Sequence, residues 1–201
     1  MDIARRLGRT TAAGTVFGIL AMSTLVSPLF AADVYSEDAI KAAYLYRFAG
    51  YVNWPEPGAG NAPFTIDVLG SPGIAKELRR LLPGHLINNR SPQVREITGT
   101  RDLGTPQMVY VGAGRAHLLR SIVPVPGRAS MLLVTDEEEG LTAGSTLNFL
   151  TIDRSVRFEV SLAAADRWGL KISSELLGVA IRVQGNQRQQ DGASARSRFG
   201  E

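Results

Sequence analysis

Apolar and polar positions recur along this 201-residue chain with two periods, one typical of helices and one typical of strands. The first helical pattern covers residues 36 to about 53, where Ser36 is a good N-cap. Apolar side chains occupy this helix almost all round, which indicates deep burial or a second packed surface. The pattern ends at Trp54 and Pro55, because a residue that precedes proline disfavours the helical region.

Short apolar runs and helical segments then alternate, in the order typical of an α/β sheet. The predicted strands cover residues 64–69, 94–98, 108–111 and 130–135. Between them, one predicted helix ends near Leu82 and another covers residues 115–122. This alternation predicts strands that are connected through helices and run mostly parallel.

The segment after residue 145 predicts a hairpin followed by two helices. Strands 146–152 and 156–160 are joined by a short turn, which favours antiparallel pairing. A short helix over 162–168 and an amphipathic helix from Ser173 to about Arg182 follow. The polar residues that alternate with apolar ones in the second strand are predicted to face solvent: Arg157, Glu159 and Ser161. The whole pattern predicts a single α/β domain, with a mixed, mostly parallel sheet flanked by helices, a C-terminal antiparallel hairpin and an amphipathic helix.

The two ends of the chain differ from the predicted domain. Residues 1–32 begin with a basic segment, continue with an uncharged and largely apolar run, and end in the small residues Ala31 and Ala32. This order predicts a cleaved secretory signal peptide. An uncleaved membrane anchor is the alternative, and Pro28 near the end of the run favours cleavage. We therefore expect a periplasmic domain over residues 33–183, with no stable membrane insertion after cleavage. Residues 184–201 are rich in Gly, Gln, Ser and Arg and are expected to be disordered.

Charge and cysteine content exclude several classes of function. The formal net charge of +3 comes from the chain ends, because residues 33–181 carry 15 basic and 16 acidic side chains. A nearly neutral domain does not project the field that holds a phosphate backbone, so we expect no nucleic-acid partner. The chain has no cysteine, which excludes disulfides, cysteine-ligated metals and thiol catalysis.

No sequence motif indicates catalysis, a cofactor or a metal. Residues 112–114 (GAG) follow a predicted strand, but the dinucleotide fingerprint needs a third glycine where His117 stands. The turn over 70–73 lacks the lysine and hydroxyl residue of a phosphate loop. The acidic run 136–139 is more typical of a solvated turn than of a cation site. The sequence therefore indicates a protein that is not an enzyme and has no cofactor.

The first helix is rich in aromatic residues, and Tyr46 and Trp54 are candidate anchors of a protein interface. Several short motifs follow one another along the chain to about residue 183: 41–48 (KAAYLYRF), 51–55 (YVNWP), 68–70 (VLG), 134–136 (VTD), 139–140 (EG), 147–149 (LNF), 156–160 (VRFEV), 163–165 (AAA) and 169–177 (GLKISSELL). The first two resemble the opening motif of the YfiR/HmsC-like periplasmic proteins, and the resemblance continues through the others in the same order.

This resemblance implies an exported α/β protein that binds and restrains the periplasmic sensor domain of an inner-membrane diguanylate cyclase. Such restraint lowers cyclic-di-GMP signalling and biofilm formation. Relatives commonly carry cysteines where this chain has Asp67 and the pair Pro106 and Gln107, so thiol-based control cannot operate here. We expect the partner contacts at both ends of the domain, at Tyr46, Arg47, Asn53, Trp54, Leu177 and Ile181.

A periplasmic small-molecule-binding protein without catalytic activity is the alternative. Its pocket would lie at the carboxyl ends of the strands, near residues 70–73 and 112–114. The sequence leaves open whether the protein forms a homodimer and which cyclase it binds.

Overall fold

The computed structural model describes residues 35–55, 62–122 and 130–185, so the predicted signal peptide and the tail beyond Gly185 lie outside the described residues. The α-helices are α1 (Glu37–Tyr51), α2 (Pro72–Leu81), α3 (Gly140–Ala143), α4 (Leu162–Arg167) and α5 (Ser174–Val179). The strands are β1 (Val52–Asn53), β2 (Phe64–Leu69), β3 (Pro92–Ile97), β4 (Met108–Val111), β5 (Leu132–Thr135), β6 (Leu147–Ile152), β7 (Ser155–Ser161), β8 (Lys171–Ile172) and β9 (Arg182–Gln184). Two 3-10 helices cover Thr100–Asp102 and Ala116–Ser121.

The main sheet has the strand order β3-β2-β4-β5-β6-β7-β9. Its first five strands in this order run parallel, β7 is antiparallel to β6, and β9 is parallel to β7. Strands β1 and β8 form a separate antiparallel pair. The predicted fold class is confirmed, because the sheet is mixed and mostly parallel, is flanked by helices and contains an antiparallel hairpin.

The chain changes its direction of travel across the sheet at β2. It passes from β2 through α2 to β3 on one side, and then places β4 on the other side of β2. Right-handed crossovers that travel in opposite directions lie on opposite faces of a sheet. Helix α2 and its neighbours α1 and α5 therefore cover one face, which we call the α1 face. The 3-10 helix 116–121, α3 and α4 cover the other, which we call the α3 face.

Helix α1 is held against the sheet by aromatic contacts. Phe48 stacks on Phe149 with the ring centroids 5.5 Å apart, and it meets Phe158 edge-on at 4.9 Å. Phe149 and Phe158 are directly opposite each other in the β6–β7 register. Each such aromatic pair contributes about 0.5–1.5 kcal/mol beyond the burial of its area, so these contacts fix the position of α1.

The last helix is shorter than the sequence pattern predicts. Helix α5 ends at Val179 rather than near Arg182, and residues 182–184 form strand β9. Residues 182–184 form a strand rather than a further helical turn because they pair with the edge of β7, whose backbone groups would otherwise have no strand partner there. Ile181 N donates to Phe158 O at 3.0 Å, and β9 continues this parallel pairing.

The strand face that the alternation predicts to be solvent-exposed is buried except at Arg157. Glu159 is 0% exposed, and Ser161 is buried as well. Helices α3 and α4 and strand β9 cover these positions. Glu159 Oε1 accepts a hydrogen bond from Asn148 Nδ2 at 2.9 Å, and its Oε2 accepts one from Arg182 Nε at 2.7 Å. Both oxygens of this buried carboxylate are therefore satisfied, as a buried charge requires.

Asn148 links Glu159 to further buried polar groups at the start of α3. Its Oδ1 lies 2.8 Å from Thr135 Oγ1, which in turn lies 2.8 Å from Ser145 Oγ. Gly140 is required at this place, because a Cβ would overlap both the Asn148 and the Thr135 oxygens. Residues of four of the motifs quoted above therefore form one buried network that joins β5, α3, β6 and β7.

Candidate partner-binding surface

The side of α1 that faces away from the sheet is largely apolar. Between residues 40 and 51, its exposed positions are Ile40, Ala43, Arg47, Gly50 and Tyr51. Only one of these five residues is charged, whereas a surface helix normally turns charged and polar residues to water. This exposed stripe of α1 therefore provides a surface suited to a second packing partner.

A groove runs beside this stripe, between α1 and the segment that follows α2. It has a volume of about 310 Å³ and is lined by Tyr46, Arg47, Gly50, Tyr51, Leu86, Ile87 and Asn88. The Tyr46 ring is half-buried and meets the His85 ring edge-on at 5.4 Å. Ile87 is buried and anchors the far wall, while Leu86 is 56% exposed at the rim. The structure thus brings Tyr46 and Arg47 together at one concave site.

Trp54 is held by the fold on two sides. Its Nε1 donates to Ala49 O at 3.1 Å, and its ring meets Phe64 edge-on at 5.3 Å. The ring is half-buried, so one part packs in the domain while another part faces solvent. Its neighbour Asn53 is exposed and pairs with Lys171 in the β1–β8 ladder.

Helix α5 lies next to the end of α1. Ser173, the N-cap of α5, donates its backbone N–H to Tyr51 O at 3.0 Å. Leu177 is half-buried, and Ile181, which follows the helix, is 45% exposed. Leu177 therefore belongs to a helix that contacts α1, and Ile181 follows that helix, but neither residue lines the groove that contains Tyr46 and Arg47.

Exposed large apolar side chains concentrate on α1 and on the segments beside it. Among the described residues they are Tyr35, Ile40, Tyr51, Leu86, Ile152, Val179, Ile181 and Val183. Ile152 is an exception, because Phe149 and Thr151 of the same strand face α1 and Ile152 therefore points to the opposite face of the sheet. Within the described ranges, none of the eight is on α3, α4 or the 3-10 helix 116–121. Sequence reasoning missed Tyr51 and Leu86, although a first helix that is apolar all round was a usable signal.

A buried lysine fixes the start of α1 at the carboxyl edge of the sheet. Lys41 Nζ donates to Glu37 Oε1 at 2.5 Å and to Asp136 Oδ2 at 2.6 Å. Asp136 Oδ2 also accepts a hydrogen bond from the Tyr110 hydroxyl at 3.0 Å. Lys41 is only 4% exposed, so its charge is compensated by the two carboxylates rather than by water.

These contacts shift three pKa values. Burial alone would lower the pKa of Lys41, but the hydrogen bonds and charges of Asp136 and Glu37 outweigh it and raise that pKa. The hydrogen bond from Lys41 lowers the pKa of Glu37. Burial, followed by the nearby Asp136 charge, raises the pKa of Tyr110. The cluster therefore keeps Lys41 charged and Tyr110 protonated, which suits a structural clamp.

The acidic turn after β5 is more ordered than a solvated turn. The carboxylate of Glu137 accepts hydrogen bonds from Gly114 N at 2.8 Å and from Ala116 N at 2.6 Å. It therefore satisfies backbone donors at the start of the predicted helix, which is a 3-10 helix over Ala116–Ser121. The described residues contain no group of three acidic or histidine side chains that could hold a metal ion.

The carboxyl ends of β2 and β4, where the alternative hypothesis places a ligand, are covered by side chains of the chain itself. The Asp38 carboxylate lies against Gly73, and a Cβ at Gly73 would overlap it. The Arg115 side chain lies across Gly70 in the same way. Two charged side chains of the chain itself thus lie over the glycines at these strand ends.

Fold and surface together define an α/β domain with an exposed apolar helix face. Among the described residues, no helix is both long and apolar enough to cross a membrane. A family model described as YfiR/HmsC-like matches residues 38–181. The chain belongs to this family.

A search of curated proteins found no match. A search of solved structures found similarity to a conserved domain protein from Vibrio cholerae, with a TM-score of 0.48 and 10% sequence identity over 74% of this chain. This chain covers 60% of the length of that chain.

Proposed function

We propose that this chain is a periplasmic regulatory protein that uses its α1 face to bind the periplasmic sensor domain of an inner-membrane diguanylate cyclase. By holding the sensor in its inactive state, it lowers cyclic-di-GMP signalling and biofilm formation. The proposal includes export through the signal peptide of residues 1–32, a mature domain over 33–183, and no catalytic activity of its own.

The concentration of exposed apolar side chains on α1 and its neighbours carries this proposal. Contiguous apolar patches of more than about a few hundred Å² are rare on soluble monomers and usually mark an interaction site. Tyr51 and Leu86 are 38% and 56% exposed on the two sides of one groove. Membership in the YfiR/HmsC-like family supports the kind of partner, because the resemblance implies regulation of a diguanylate cyclase.

The chemistry of the groove indicates what the partner presents. Its walls would receive an apolar side chain between Tyr46 and Leu86. Arg47 has no ion pair among the described residues, so its guanidinium is available to a carboxylate of the partner at the rim. Asn53 and Trp54 would extend the contact at the end of α1, and Leu177 and Ile181 would extend it along α5.

Such a regulator works through a difference in affinity for two states of the sensor. Changing the ratio of inactive to active sensor from 1:99 to 99:1 needs about 5.5 kcal/mol of differential affinity. About 220 Å² of apolar surface that is buried only in the inactive complex would supply this, at ~25 cal/mol per Å². A patch of several aromatic and aliphatic side chains is sufficient for an effect of this size.

The proposal is tested by measuring cellular cyclic-di-GMP in a strain that lacks the gene and in complemented strains. We expect a rise that is reversed by the wild-type gene and by Arg120→Ala, but much less by Arg47→Ala. Arg47 and Arg120 are a matched pair, because both are exposed and they lie on the α1 and α3 faces respectively. An unchanged cyclic-di-GMP level in the deletion strain under several growth conditions would contradict the proposal.

A further inference from the structure

We propose that the cleft between α3, α4 and β9 is a second binding site, for a small molecule that carries a carboxylate or phosphate group. The cleft has a volume of about 800 Å³, which is within the usual range for small-molecule sites. Arg167 and Arg182 both line it, together with Thr142, Ser161 and Gln184. It lies on the α3 face, so the inference does not depend on what the α1 face binds.

The buried carboxylate of Glu159 holds the Arg182 side chain in place. Its Nε and Nη2 both donate to Oε2 of Glu159, whose other oxygen accepts from Asn148. A guanidinium has five N–H donors, and these contacts use two of them. The Arg182 side chain remains 63% exposed, so the remaining donors are accessible from the cleft.

Arg167 supplies a second positive charge to the lining of the cleft. It is exposed in the last turn of α4, and among the described residues it has no hydrogen bond or ion pair. Its Nη2 lies 3.8 Å from the place that a Cβ of Gly144 would occupy. Gly144 ends α3 at a φ of 111°, where glycine is strongly favoured, and its lack of a side chain keeps this space open.

The charges and hydrogen-bonding groups of the lining favour an anion. Two guanidinium groups face one carboxylate, that of Glu159, and both of its oxygens are already used. Ser161 Oγ accepts from Ala164 N, which leaves the hydroxyl proton of Ser161 free to be donated. Arginine binds carboxylate and phosphate oxygens through paired N–H groups, so either group fits this lining.

A buried hydroxyl next to Ser161 lacks a partner. Thr146 O accepts from Ser161 N at 2.8 Å, so the two residues are neighbours on adjacent strands. Thr146 Oγ1 is buried and has no hydrogen-bond partner among the described residues. A buried polar atom without a partner is uncommon in a folded domain.

The test measures binding of inorganic phosphate and of citrate to the purified exported protein, by calorimetry and by thermal unfolding at ionic strength matched with chloride. We expect at least one of the two anions to bind and to raise the unfolding midpoint with concentration. Which anion binds more tightly distinguishes a phosphate ligand from a carboxylate ligand.

Two variants make this test specific. Arg167→Gln is expected to weaken binding roughly tenfold or more, while its unfolding in chloride stays unchanged. Arg101→Gln is the matched control, because Arg101 is an exposed arginine on another element. Absence of binding by both anions, or equal binding by wild type and Arg167→Gln, would overturn the proposal.

Discussion

Replacing Gly50 with alanine separates what the fold requires from what a partner requires. Gly50 is the last residue but one of α1 and is exposed, and a Cβ at this position meets no atom within 4 Å. Its φ is not positive, so alanine adopts the same backbone without strain. Among the described residues, nothing explains why the chain has a glycine here.

The expected effects on stability and on binding have opposite signs. Alanine in place of glycine within a helix stabilises it by about 0.5–1 kcal/mol. For a domain of this size, that corresponds to an increase of about 1–4 °C in the unfolding midpoint. If a partner packs against the exposed stripe of α1, the added methyl group overpacks the contact and weakens binding by about 1–3 kcal/mol, which is about fivefold to 150-fold in the dissociation constant.

The assay combines thermal unfolding of purified Gly50→Ala with cyclic-di-GMP levels in the complemented deletion strain. We expect a higher midpoint together with a higher cyclic-di-GMP level than the wild-type gene restores. A lower midpoint for Gly50→Ala would refute the packing argument, and a higher midpoint with full regulation would place Gly50 outside the interface.

Four further predictions concern the clamp and the aromatic anchors. Lys41→Met should destabilise the domain by about 2 kcal/mol or more in urea unfolding, because it leaves the half-buried Asp136 carboxylate without its cation. The pKa of Glu37 is lowered in the folded state, so the stability it contributes is present above its ordinary pKa of 4.5 and should be lost as the pH falls through the folded value. Urea unfolding between pH 5 and about pH 3 measures this loss, which should be smaller in Lys41→Met. Trp54→Phe should lower the free energy of unfolding by about 1 kcal/mol in the same urea experiment, because it removes the hydrogen bond that Nε1 donates to Ala49 O. Tyr46→Ala should weaken regulation more than it changes unfolding, and the opposite result would make Tyr46 a core residue.

The fold class followed from patterns that are local in the sequence. Mainly apolar runs of four to six residues predict strands β2, β4 and β5 without knowledge of what these strands pack against. The cap at Ser36 was also predictable, and its side chain accepts from Ala39 N at 3.2 Å. These features depend on neighbours within a few residues, so one sequence was sufficient to predict them.

The buried polar network was not predictable from alternation alone. Glu159 alternates with apolar residues as a solvent-exposed residue would, yet it pairs with Arg182, 23 residues later. That pairing requires residues 182–184 to form a strand beside β7, although their local pattern continues a helix. Only the three-dimensional arrangement shows which faces of a strand are covered.

The candidate surface was predicted in part for a related reason. Tyr46 and Arg47 were predicted from the aromatic content of α1 and from the resemblance, and they line the groove. Leu86 was not predicted, because it follows α2 and reaches the groove only through the packing of its segment against α1. A surface that is built from distant segments leaves little local signal in either of them.

Site-specific photo-cross-linking in living cells tests the central claim most directly. A photoreactive residue would replace Tyr51 on the α1 face or, as the control, Arg120 on the α3 face, in the full-length exported chain. The account predicts that position 51 captures an inner-membrane protein with a diguanylate cyclase domain and that position 120 does not. Capture of the cyclase from position 120 but not from position 51, or from neither position in cells that contain it, would contradict the account.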